Sequence, residues 1–317
     1  MPVAPSTERQ GSVVILGVFV ADAAYRAPRQ PNMGETILGS SFALGPGGKG
    51  SNQAVAAARC NAHVSFISRL GQDSFAQMAL DMYAAEGILT HIDQIAESYT
   101  GSAYIFIDEK SGDNAIIVCP GAAATINTAS IEDSRTVIES ADVFVTQLEQ
   151  PLEAAHHALA IARNAGVITV LNTAPAEAIP DDVFKLCDYV TPNETEVEAY
   201  TGVKVESIAD ARNAGDVLLA KGVGTALITL GEQGALLHSA EQSVHIPAVT
   251  AGPVVETTGA GDAFNGGFAA AIAQQQTPVD AARFACAVAG LSVTRAGTAP
   301  AMPSRAEVEA LLAEHSQ

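Results

Sequence analysis

The segment ETTGAGD (residues 256–262) leads into an apolar run of small residues that is predicted to form a helix from about Ala263. Gly259 and Gly261 allow the backbone to direct its N–H groups toward one point with no side chains in the way. The helix N-terminus adds partial positive charge there, which makes an anion hole suited to a phosphoryl group. Asp262 stands at its rim, where a carboxylate could accept a proton from an attacking hydroxyl. An N-cap aspartate on a glycine-entered helix is the alternative, and the segment alone fits both interpretations.

Outward from this segment, strand-like and helix-like stretches alternate along most of the chain. The strand-like stretches are residues 13–21, 63–68, 142–147, 167–171, 188–191 and 225–230. The helical stretches between them include residues 74–86, 152–164, 194–201, 208–221 and 263–274. This alternation predicts an α/β fold with a central, mostly parallel sheet flanked by helices, in which sites form at the carboxyl ends of the strands.

Two regions interrupt the alternation. Residues 23–44 follow the first strand but are not helical, since they carry both prolines and glycines. Residues 101–108 and 114–119 resemble two successive strands joined by a polar turn, where a parallel sheet would normally place a helix. We therefore predict a single domain over residues 1–317 with a small separate β-sheet set over the core as a lid. The lid would be formed by about 23–44 and 97–119.

The composition excludes several classes of protein. The 317 residues include 16 Lys and Arg against 35 Asp and Glu, a formal net charge of −19, and 48% are hydrophobic, so a large buried core is expected and disorder is not. Binding to nucleic acid or to an anionic membrane needs a clustered positive face, which this acidic chain without Trp does not offer. The early apolar run 13–21 is far shorter than the roughly 20 residues of a membrane helix. We expect no nucleic-acid partner and no membrane partner.

Cysteine and histidine spacing bear on compartment and metal binding. The cysteines are Cys60, Cys119, Cys187 and Cys286. They are widely spaced and include no C-x-x-C pair, so we expect reduced, buried thiols and a cytoplasmic protein. His156 and His157 are adjacent in a helical stretch, but the chain has no H-x-x-x-H spacing, so we do not expect a histidine-based metal site.

The glycine-rich segment GPGGKGSNQ (residues 45–53) contains the G-x-G-x-x-G pattern of dinucleotide-binding proteins. That fingerprint comes directly after the first strand, whereas here residues 22–44 intervene. The segment is not a phosphate-binding Walker loop either, because Lys49 is followed by glycine rather than Ser or Thr. A loop that carries Lys49 and Asn52 could instead bring polar donors close to a polyhydroxylated ligand.

Polar residues also follow several other predicted strands. NETE (residues 193–196) offers carboxylates that could hold Mg²⁺ through its waters, or acidic residues that simply favour a helix N-terminus. Glu149 could hydrogen-bond a sugar, and the glycine loop of residues 229–234 could border a nucleotide. Since the carboxyl ends of parallel strands meet at one edge, these features together predict a ligand site there.

Three of these segments together resemble motifs of the ribokinase-like PfkB family of carbohydrate kinases. They are GGKGSNQAVAAAR at 47–59, NETE at 193–196 and TGAGDAFNGGF at 258–268. They occur in the family's order, and the similarity extends from residue 16 to residue 297. The resemblance implies the family fold, with a β lid that often pairs with the lid of a second subunit. It also implies an ATP-dependent kinase that phosphorylates the primary hydroxyl of a pentose, ribose or a relative such as 2-deoxyribose.

Carried to the matching positions, the resemblance implies that Asp262 is the catalytic base and that Gly259, Ala260 and Gly261 form the anion hole. The implied sugar-binding residues are Asp22, Gly48, Lys49, Gly50, Ser51, Asn52, Glu149 and Asp262. The implied ATP-binding residues are Asn193, Glu196, Thr229, Leu230, Gly231, Glu232, Gln233, Gly234, Gly261 and Cys286, with Glu196 acting through Mg²⁺. The implied site for a monovalent cation, K⁺, consists of Glu256, Thr258 and carbonyl groups of Ser292, Arg295, Gly297 and Ala301.

The chain departs from the family pattern at two of these positions. Family members that act on ribose usually carry Asn where this chain has Val20, and that Asn hydrogen-bonds a ribose hydroxyl. Since valine cannot do so, a 2-deoxy sugar or a different pentose fits at least as well as ribose. Glu256 stands where the family commonly has Asp, and its extra methylene changes the reach of the carboxylate in the cation site.

Three other functions remain open at this point. One is a kinase for another sugar on the same fold. A nucleoside kinase would need an apolar or aromatic platform for the base, for which Phe19, Tyr25 and Tyr104 are the candidates. A non-catalytic sugar-sensing protein could use the same fold, but it would have no need of Asp262 beside an anion hole.

Overall fold

The computed structural model describes residues 10–315 of the chain. The strands are β1 (Ser12–Leu16), β2 (Val20–Ala27), β3 (Ser41–Gly47), β4 (His63–Leu70), β5 (Leu89–Gln94), β6 (Thr100–Asp108), β7 (Asn114–Gly121), β8 (Val143–Thr146), β9 (Ile168–Leu171), β10 (Tyr189–Val190), β11 (Thr225–Thr229), β12 (Ala235–Ser239) and β13 (Ser243–Ile246). The helices are α1 (Lys49–Arg59), α2 (Ser74–Ala85), α3 (Thr128–Asp133), α4 (Arg135–Glu139), α5 (Leu152–Asn164), α6 (Asp181–Phe184), α7 (Glu194–Thr201), α8 (Ile208–Ala220), α9 (Ala260–Ala273), α10 (Pro278–Ser292) and α11 (Arg305–Glu314).

The central sheet of the described region runs in the order β13-β12-β11-β10-β9-β8-β1-β4-β5. Neighbouring strands from β11 to β5 are parallel, and β12 and β13 form an antiparallel extension at one edge. The chain continues from β1 to β4 on one side and later returns to β8 on the other, so the strand order reverses beside β1. In such sheets a crevice opens outside the carboxyl ends of the strands at this point. The predicted α/β class is confirmed.

Alternate residues of β1 pack on opposite faces of the sheet, as the two-residue period of a strand requires. Val13 and Ile15 belong to a buried cluster with apolar residues of α1, α2, α9 and α10. Val14 and Leu16 belong to a second cluster with apolar residues of α3, α5 and α8. Helices therefore cover both faces of the sheet, which is why its parallel strands are apolar on both sides.

The predicted first strand, residues 13–21, is in fact two strands in two different sheets. β1 ends at Leu16, and β2 begins at Val20. Between them the backbone of Gly17 passes so close to α1 that a Cβ on Gly17 would lie 2.7 Å from the Cα of Gly50. The apolar run continues across this break because its residues stay buried while the chain leaves the central sheet. Hydrophobicity alone therefore did not reveal the break.

A second sheet, here called the lid sheet, has the order β3-β2-β6-β7. β2 and β6 are parallel, whereas β3 and β7 pair antiparallel with their neighbours. The prediction of two successive strands joined by a turn near residues 109–113 is confirmed by β6 and β7. The prediction that all four cysteines are buried is wrong for Cys119, which is exposed because β7 is an edge strand.

Several other boundaries differ from the sequence-based expectations. α9 begins at Ala260 rather than near Ala263, so the GAGD segment lies within its first turn. The sequence pattern does not predict α10, because the small apolar residues of this helix are buried on most sides and give little periodic contrast. It also missed β5, whose residues are mostly half-buried or exposed. None of the helices within residues 10–315 has the length and apolar character needed to cross a membrane.

Candidate active site

Polar residues that follow the central strands meet at the carboxyl edge of the sheet. Gln147 follows β8, Asn172 follows β9 and Thr191 follows β10. The Gln147 amide hydrogen-bonds to Gln53 of α1, and the Thr191 hydroxyl hydrogen-bonds to Asn265 of α9. The strand ends therefore form one polar edge that is joined by side chains to two helices.

Asp262 lies in the first turn of α9 and is 7% exposed. Nδ2 of Asn52 donates to its Oδ2 at 2.9 Å, and Nε2 of Gln53 donates to its Oδ1 at 3.1 Å. Burial raises the pKa of Asp262, while the charge of Lys49 and the two amide donors lower it, and the net pKa is above the ordinary value. A buried, oriented carboxylate with a raised pKa has the properties of a general base.

The N-terminus of α9 is open beside Asp262. Gly259 is its N-cap and has a φ of 82°, a left-handed conformation that favours glycine. Gly261 is exposed, and a Cβ built on it would have no other heavy atom within 4 Å. Because N–H groups in the first turn of a helix have no intrahelical acceptor, this end can receive an anion.

A group of charged and polar side chains lies around the N-terminus of α1. Glu149 Oε2 accepts a hydrogen bond from the backbone N–H of Lys49 at 2.9 Å and so caps this helix. The Asp22 carboxylate, on β2, covers Gly47, since a Cβ on that glycine would lie 2.1 Å from Oδ2. Asn52 is 4% exposed, and its Oδ1 has no hydrogen-bond partner. Asn52 can therefore accept a hydrogen bond from a ligand hydroxyl.

The carboxylates in this group affect one another's protonation. Burial raises the pKa of Asp22 to about 6, and the negative charge of Asp262 adds to the shift. Burial also raises the pKa of Glu149 to about 7, against the opposing effect of Lys49. Burial lowers the pKa of Lys49, but Asp262, Glu149 and Glu196 raise it above its usual value. The group is rich in acceptors, which suits a ligand that presents several hydroxyl donors.

The remaining residues of the glycine-rich segment shape the start of α1. Gly48 is the N-cap, with a φ of 90°. A Cβ on Gly50 would lie 2.6 Å from the Cα of Gly17, so this glycine allows α1 to pack against the end of β1. Ser51 is fully buried, and its hydroxyl accepts a hydrogen bond from the Tyr83 hydroxyl at 2.9 Å. The Ser51 side chain therefore lies in the contact between α1 and α2.

The NETE segment forms the N-terminus of α7. Asn193 is the N-cap, and its Oδ1 accepts a hydrogen bond from the backbone N–H of Glu196 at 2.8 Å. In return, the Glu196 carboxylate accepts hydrogen bonds from N and Nδ2 of Asn193 at 3.0 and 3.1 Å. Burial raises the pKa of Glu196, while the hydrogen bond from Asn193 and the charge of Lys49 oppose this. The helix-terminus interpretation thus describes the local structure, and it also holds the Glu196 carboxylate in one orientation.

The loop after β11 lies beside this segment, because the backbone N–H of Thr229 donates to the carbonyl of Pro192 at 2.9 Å. Leu230 N–H donates to Gly234 O at 2.8 Å and closes the loop around a single 3₁₀ turn at Gly231–Gln233. The turn residues, including Glu232, are exposed. The structure thus places Asn193 and the 229–234 loop next to each other. Cys286 lies on α10, 6% exposed within the same buried cluster as α9.

Two of the residues predicted to bind a monovalent cation, Glu256 and Gly297, meet just beyond the end of α10. Glu256 Oε2 accepts a hydrogen bond from the backbone N–H of Gly297 at 2.8 Å. The backbone N–H groups of Val255 and Glu256 donate to the carbonyl of Val293 at 2.8 and 3.2 Å. Ser292 ends α10, Ala301 ends a 3₁₀ turn, Arg295 pairs with Glu307 at 2.5 Å, and Thr258 is exposed.

No role for Gln53, Asn172 or Thr298 follows from the sequence alone. Gln53 follows Asn52 in the glycine-rich segment, and its helical spacing from Lys49 was a signal that it faces the same site. Asn172 directly follows a predicted strand, as the other site residues do. Thr298 gave no signal, because its hydroxyl donates at 2.9 Å to the carbonyl of Pro46, which lies far away in the sequence.

The comparisons with known proteins agree with this arrangement. The family model for pfkB family carbohydrate kinases matches residues 10–305. A ribokinase from Haemophilus influenzae is 39% identical over 96% of this chain and 99% of its own length. A deoxyribokinase from Salmonella typhimurium is 35% identical over 92% of this chain and 95% of its own length. The structure of Arabidopsis thaliana ribokinase complexed with ribose and ATP superposes with a TM-score of 0.91 at 29% identity, covering 96% of this chain and 99% of that one.

The family match covers nearly the whole chain and includes the glycine-rich segment, the NETE segment and the GAGD segment. The structure has the central sheet and the lid sheet that the resemblance implies, and its GAGD segment lies at the open N-terminus of α9. This chain therefore belongs to the pfkB family of carbohydrate kinases.

Proposed function

We propose that this protein is an ATP-dependent kinase that transfers the γ-phosphate of ATP to the primary hydroxyl of a pentose, ribose or 2-deoxyribose. The proposal depends above all on Asp262, a buried carboxylate in the first turn of α9 that faces Asn52 and Gln53 beside an open helix end. Such a carboxylate can take a hydroxyl proton while a phosphoryl group is transferred. The ribokinase and deoxyribokinase relatives support this assignment.

The sugar would bind between the N-terminus of α1 and the lid sheet. Asp22 and Glu149 are half-buried acceptors there, Asn52 has an unpartnered oxygen, and Lys49 is half-buried among the carboxylates. Gly48, Gly50 and Ser51 would contribute the backbone shape of this loop rather than further side-chain contacts. This set offers acceptors and one cation, which matches a ligand with several hydroxyl groups.

ATP would lie along the other side of the same edge. Its terminal phosphate would reach the N-terminus of α9 at Gly259, Ala260 and Gly261, since a helix N-terminus stabilises negative charge. The nucleoside would lie near Asn193, the 229–234 loop and the α10 segment that contains Cys286. The contact between Thr229 and Pro192 supports this grouping because it joins the two loops.

The residues fit Mg²⁺ held mainly by phosphate oxygens and water. Both oxygens of Glu196 already accept hydrogen bonds from Asn193, so Glu196 would act on the ion through a bound water. Bound Mg²⁺ would neutralise charge that develops on the phosphates. The Glu256 carboxylate and the backbone carbonyl groups of the loop up to Ala301 could supply oxygen ligands of the kind that K⁺ takes. We propose that K⁺ binds there, and that Thr258 and carbonyl groups of Ser292, Arg295 and Gly297 complete its shell.

The chemistry of the chain's own residues then follows. Asp262 would accept the proton of the primary hydroxyl of the sugar. The oxygen of that hydroxyl would attack the γ-phosphorus of ATP in line with the leaving group, ADP. N–H groups at the start of α9 would stabilise the negative charge of the phosphoryl oxygens. The lid sheet would exclude water, which otherwise competes with the sugar for the phosphoryl group.

Two further proposals concern the oligomeric state and the cellular compartment. Two copies of the protein would form a homodimer through their lid sheets, because Tyr25, Phe42 and Tyr104 form an exposed aromatic group. These side chains are 44%, 56% and 36% exposed.

The protein would act in the cytoplasm, since all four cysteines are free thiols. Neither a nucleic acid nor a membrane is proposed as a partner.

The test is ADP release from Mg·ATP with D-ribose, 2-deoxy-D-ribose, other pentoses, fructose and adenosine, each with K⁺ or Na⁺. We expect one pentose to be turned over far faster than the rest, and faster with K⁺. The variant Asp262→Asn should fold normally, bind ATP and lose about 10²- to 10⁴-fold in kcat. Fastest turnover of adenosine would indicate a nucleoside kinase. Sugar binding without turnover would indicate a sensor, and wild-type turnover by Asp262→Asn would exclude this residue as the base.

A further inference from the structure

A chain of buried side-chain amides lies behind Asp262. Gln53 is fully buried, and its Nε2 donates both to Asp262 Oδ1 and to Asn172 Oδ1, each at 3.1 Å. Its Oε1 accepts a hydrogen bond from Gln147 Nε2 at 2.6 Å. The Gln53 amide therefore uses its donors and its acceptor at once, in a region where an unmade hydrogen bond is costly.

Gln147 and Asp262 contact opposite ends of the Gln53 amide. An amide presents donors at one end and an acceptor at the other, whereas an ionised carboxylate can only accept. Because the Gln147 donor engages the oxygen of Gln53, the NH₂ group must point toward Asp262. Gln147 Oε1 has no hydrogen-bond partner and lies close to two backbone segments, since a Cβ on Gly17 or on Gly50 would lie 2.6 or 2.8 Å from it.

A second branch of this series of hydrogen-bonded amides leads back to the backbone of α9. Asn172 Nδ2 donates to the carbonyl of Thr191 at 3.1 Å, and the Thr191 hydroxyl donates to Asn265 Oδ1 at 2.6 Å. Asn265 Nδ2 then donates to the carbonyl of Gly261 at 2.8 Å. Gly261 directly precedes Asp262, so the hydrogen bonds form a closed ring that fixes the first turn of α9 relative to the ends of β9 and β10.

We propose that Gln53, oriented by Gln147, is a positioning residue that holds the Asp262 carboxylate in the orientation needed to accept the proton of the sugar hydroxyl. The inference rests on the proposed role of Asp262 as the catalytic base. Asn52 holds the other oxygen but also faces the sugar, whereas Gln53 is turned toward the strand ends and acts only through Asp262.

The first test is the variant Gln53→Leu, which removes the amide donors and keeps the side chain at a similar size. We expect kcat to fall by about 10- to 100-fold, since a small misplacement of a reacting group has effects of this order. The KM for the sugar should change little, because Gln53 does not contact it. Loss of the donor also raises the pKa of Asp262, so the acidic limb of the kcat profile should move to higher pH.

The charged groups that act on Asp262 stay in place in this variant. They are Lys49 from α1, Asp22 from β2, Glu149 after β8 and Glu196 from α7. A shift of the acidic limb would therefore report the lost amide donor. Gln147→Leu should change kcat and the acidic limb in the same direction but less, because the Gln53 amide is then free to turn. If Gln53→Leu does not fold, Gln147→Leu tests the positioning role in its place.

Gln150→Leu is the matched control. Gln150 is 4% exposed near the same strand end, but its amide donates to the Thr146 hydroxyl and to the Gln147 carbonyl instead. We expect this variant to lose stability and to keep the wild-type kcat and acidic limb. Equal losses of kcat in Gln53→Leu and Gln150→Leu, with the acidic limb unmoved, would overturn the proposal.

Asp262→Asn separates this inference from the proposed function. If Asp262→Asn loses turnover while both Gln53→Leu and Gln147→Leu keep wild-type kcat and pH dependence, the positioning role is wrong and the kinase assignment stands. If Asp262→Asn keeps its turnover, the assignment of the base is wrong, and the positioning role fails with it.

Discussion

Among single residues, Val20 is the one that we propose to affect the choice of sugar. It is 6% exposed on β2 and pairs with Gly47 at the start of the glycine-rich loop. Because side chains two residues apart share a face of a strand, Val20 and Asp22 point to the same side. Valine presents only methyl groups there, so a hydroxyl of the sugar at this position would lose its hydrogen bond to water without replacement.

We predict that Val20→Asn changes the preference between ribose and 2-deoxyribose. An amide on this face can hydrogen-bond a hydroxyl that valine cannot, so the ratio of kcat/KM for ribose over that for 2-deoxyribose should rise by about 10-fold or more. Ala23→Asn is the matched control, because it places the same amide on the opposite face of β2. An unchanged ratio in Val20→Asn, or an equal change in both variants, would show that residue 20 does not face the sugar.

Among the elements, helix α9 begins with two glycines, Gly259 and Gly261, whose backbone conformations differ. Gly259 has a left-handed φ of 82°, whereas Gly261 lies within the helix and has open space around a built Cβ. The two glycines therefore respond differently to the same substitution.

We predict that Gly261→Ala stabilises the fold by about 0.5–1 kcal/mol, because alanine favours a helix over glycine. The same methyl group would occupy the space where the phosphoryl group is proposed to lie, so kcat should fall. Gly259→Ala is the comparison, and it should destabilise the protein by about 1–2 kcal/mol because of its left-handed backbone. Thermal unfolding and ADP release measure the two effects. A Gly261→Ala variant with undiminished kcat would place the phosphoryl group elsewhere.

The lid sheet leads to a prediction about assembly. Phe42 and Tyr25 lie opposite each other on β3 and β2, with ring centroids 4.9 Å apart and both rings exposed. If this face forms the dimer, Phe42→Glu buries a charge in the interface and should shift the protein to monomers in analytical ultracentrifugation. Val254→Glu is the control, since Val254 is 63% exposed outside the lid sheet. A wild-type monomer, or a dimer unaffected by Phe42→Glu, would contradict the proposal.

For the whole molecule, the grouped carboxylates predict how stability depends on pH. The pKa values of Asp22 and Glu149 are raised to about 6 and about 7, and those of Glu196 and Asp262 are also raised. The folded protein therefore binds more protons than the unfolded chain between the unfolded and folded pKa values. It follows that the free energy of unfolding falls as the pH rises from about 4.5 to about 7.

We predict that the ligand-free protein has a lower Tm at about pH 8 than at about pH 5.5. Glu149→Gln should make the dependence shallower, because this residue is then neutral at every pH. Glu153→Gln is the control, since Glu153 is exposed on the neighbouring helix α5. Differential scanning calorimetry across this interval measures the effect. A Tm that rises with pH would contradict the prediction.

Much of the architecture was predictable because the local hydrophobic pattern of many elements matches their burial in the folded protein. The apolar runs of β8, β9 and β11 are mostly buried, so hydrophobicity alone revealed them. The break at Gly17 was not predictable, because residues 18–20 remain buried while the chain changes sheet. β5 escaped prediction for the opposite reason, since an edge strand with exposed residues carries little apolar signal.

The sequence by itself determined the family, the alternation of most parallel strands with helices, and the residue types at the strand ends, because these depend on local periodicity and on motifs of adjacent residues. It also indicated that Asp262 stands at a helix N-terminus. Only the tertiary structure decided which groups hold that carboxylate. The contacts of Gln53 with Asp262 and Gln147 join residues 209 and 94 positions apart. Hydrogen bonds over such separations leave no periodic trace in the sequence, because they exist only once the strand ends and the two helices have packed together.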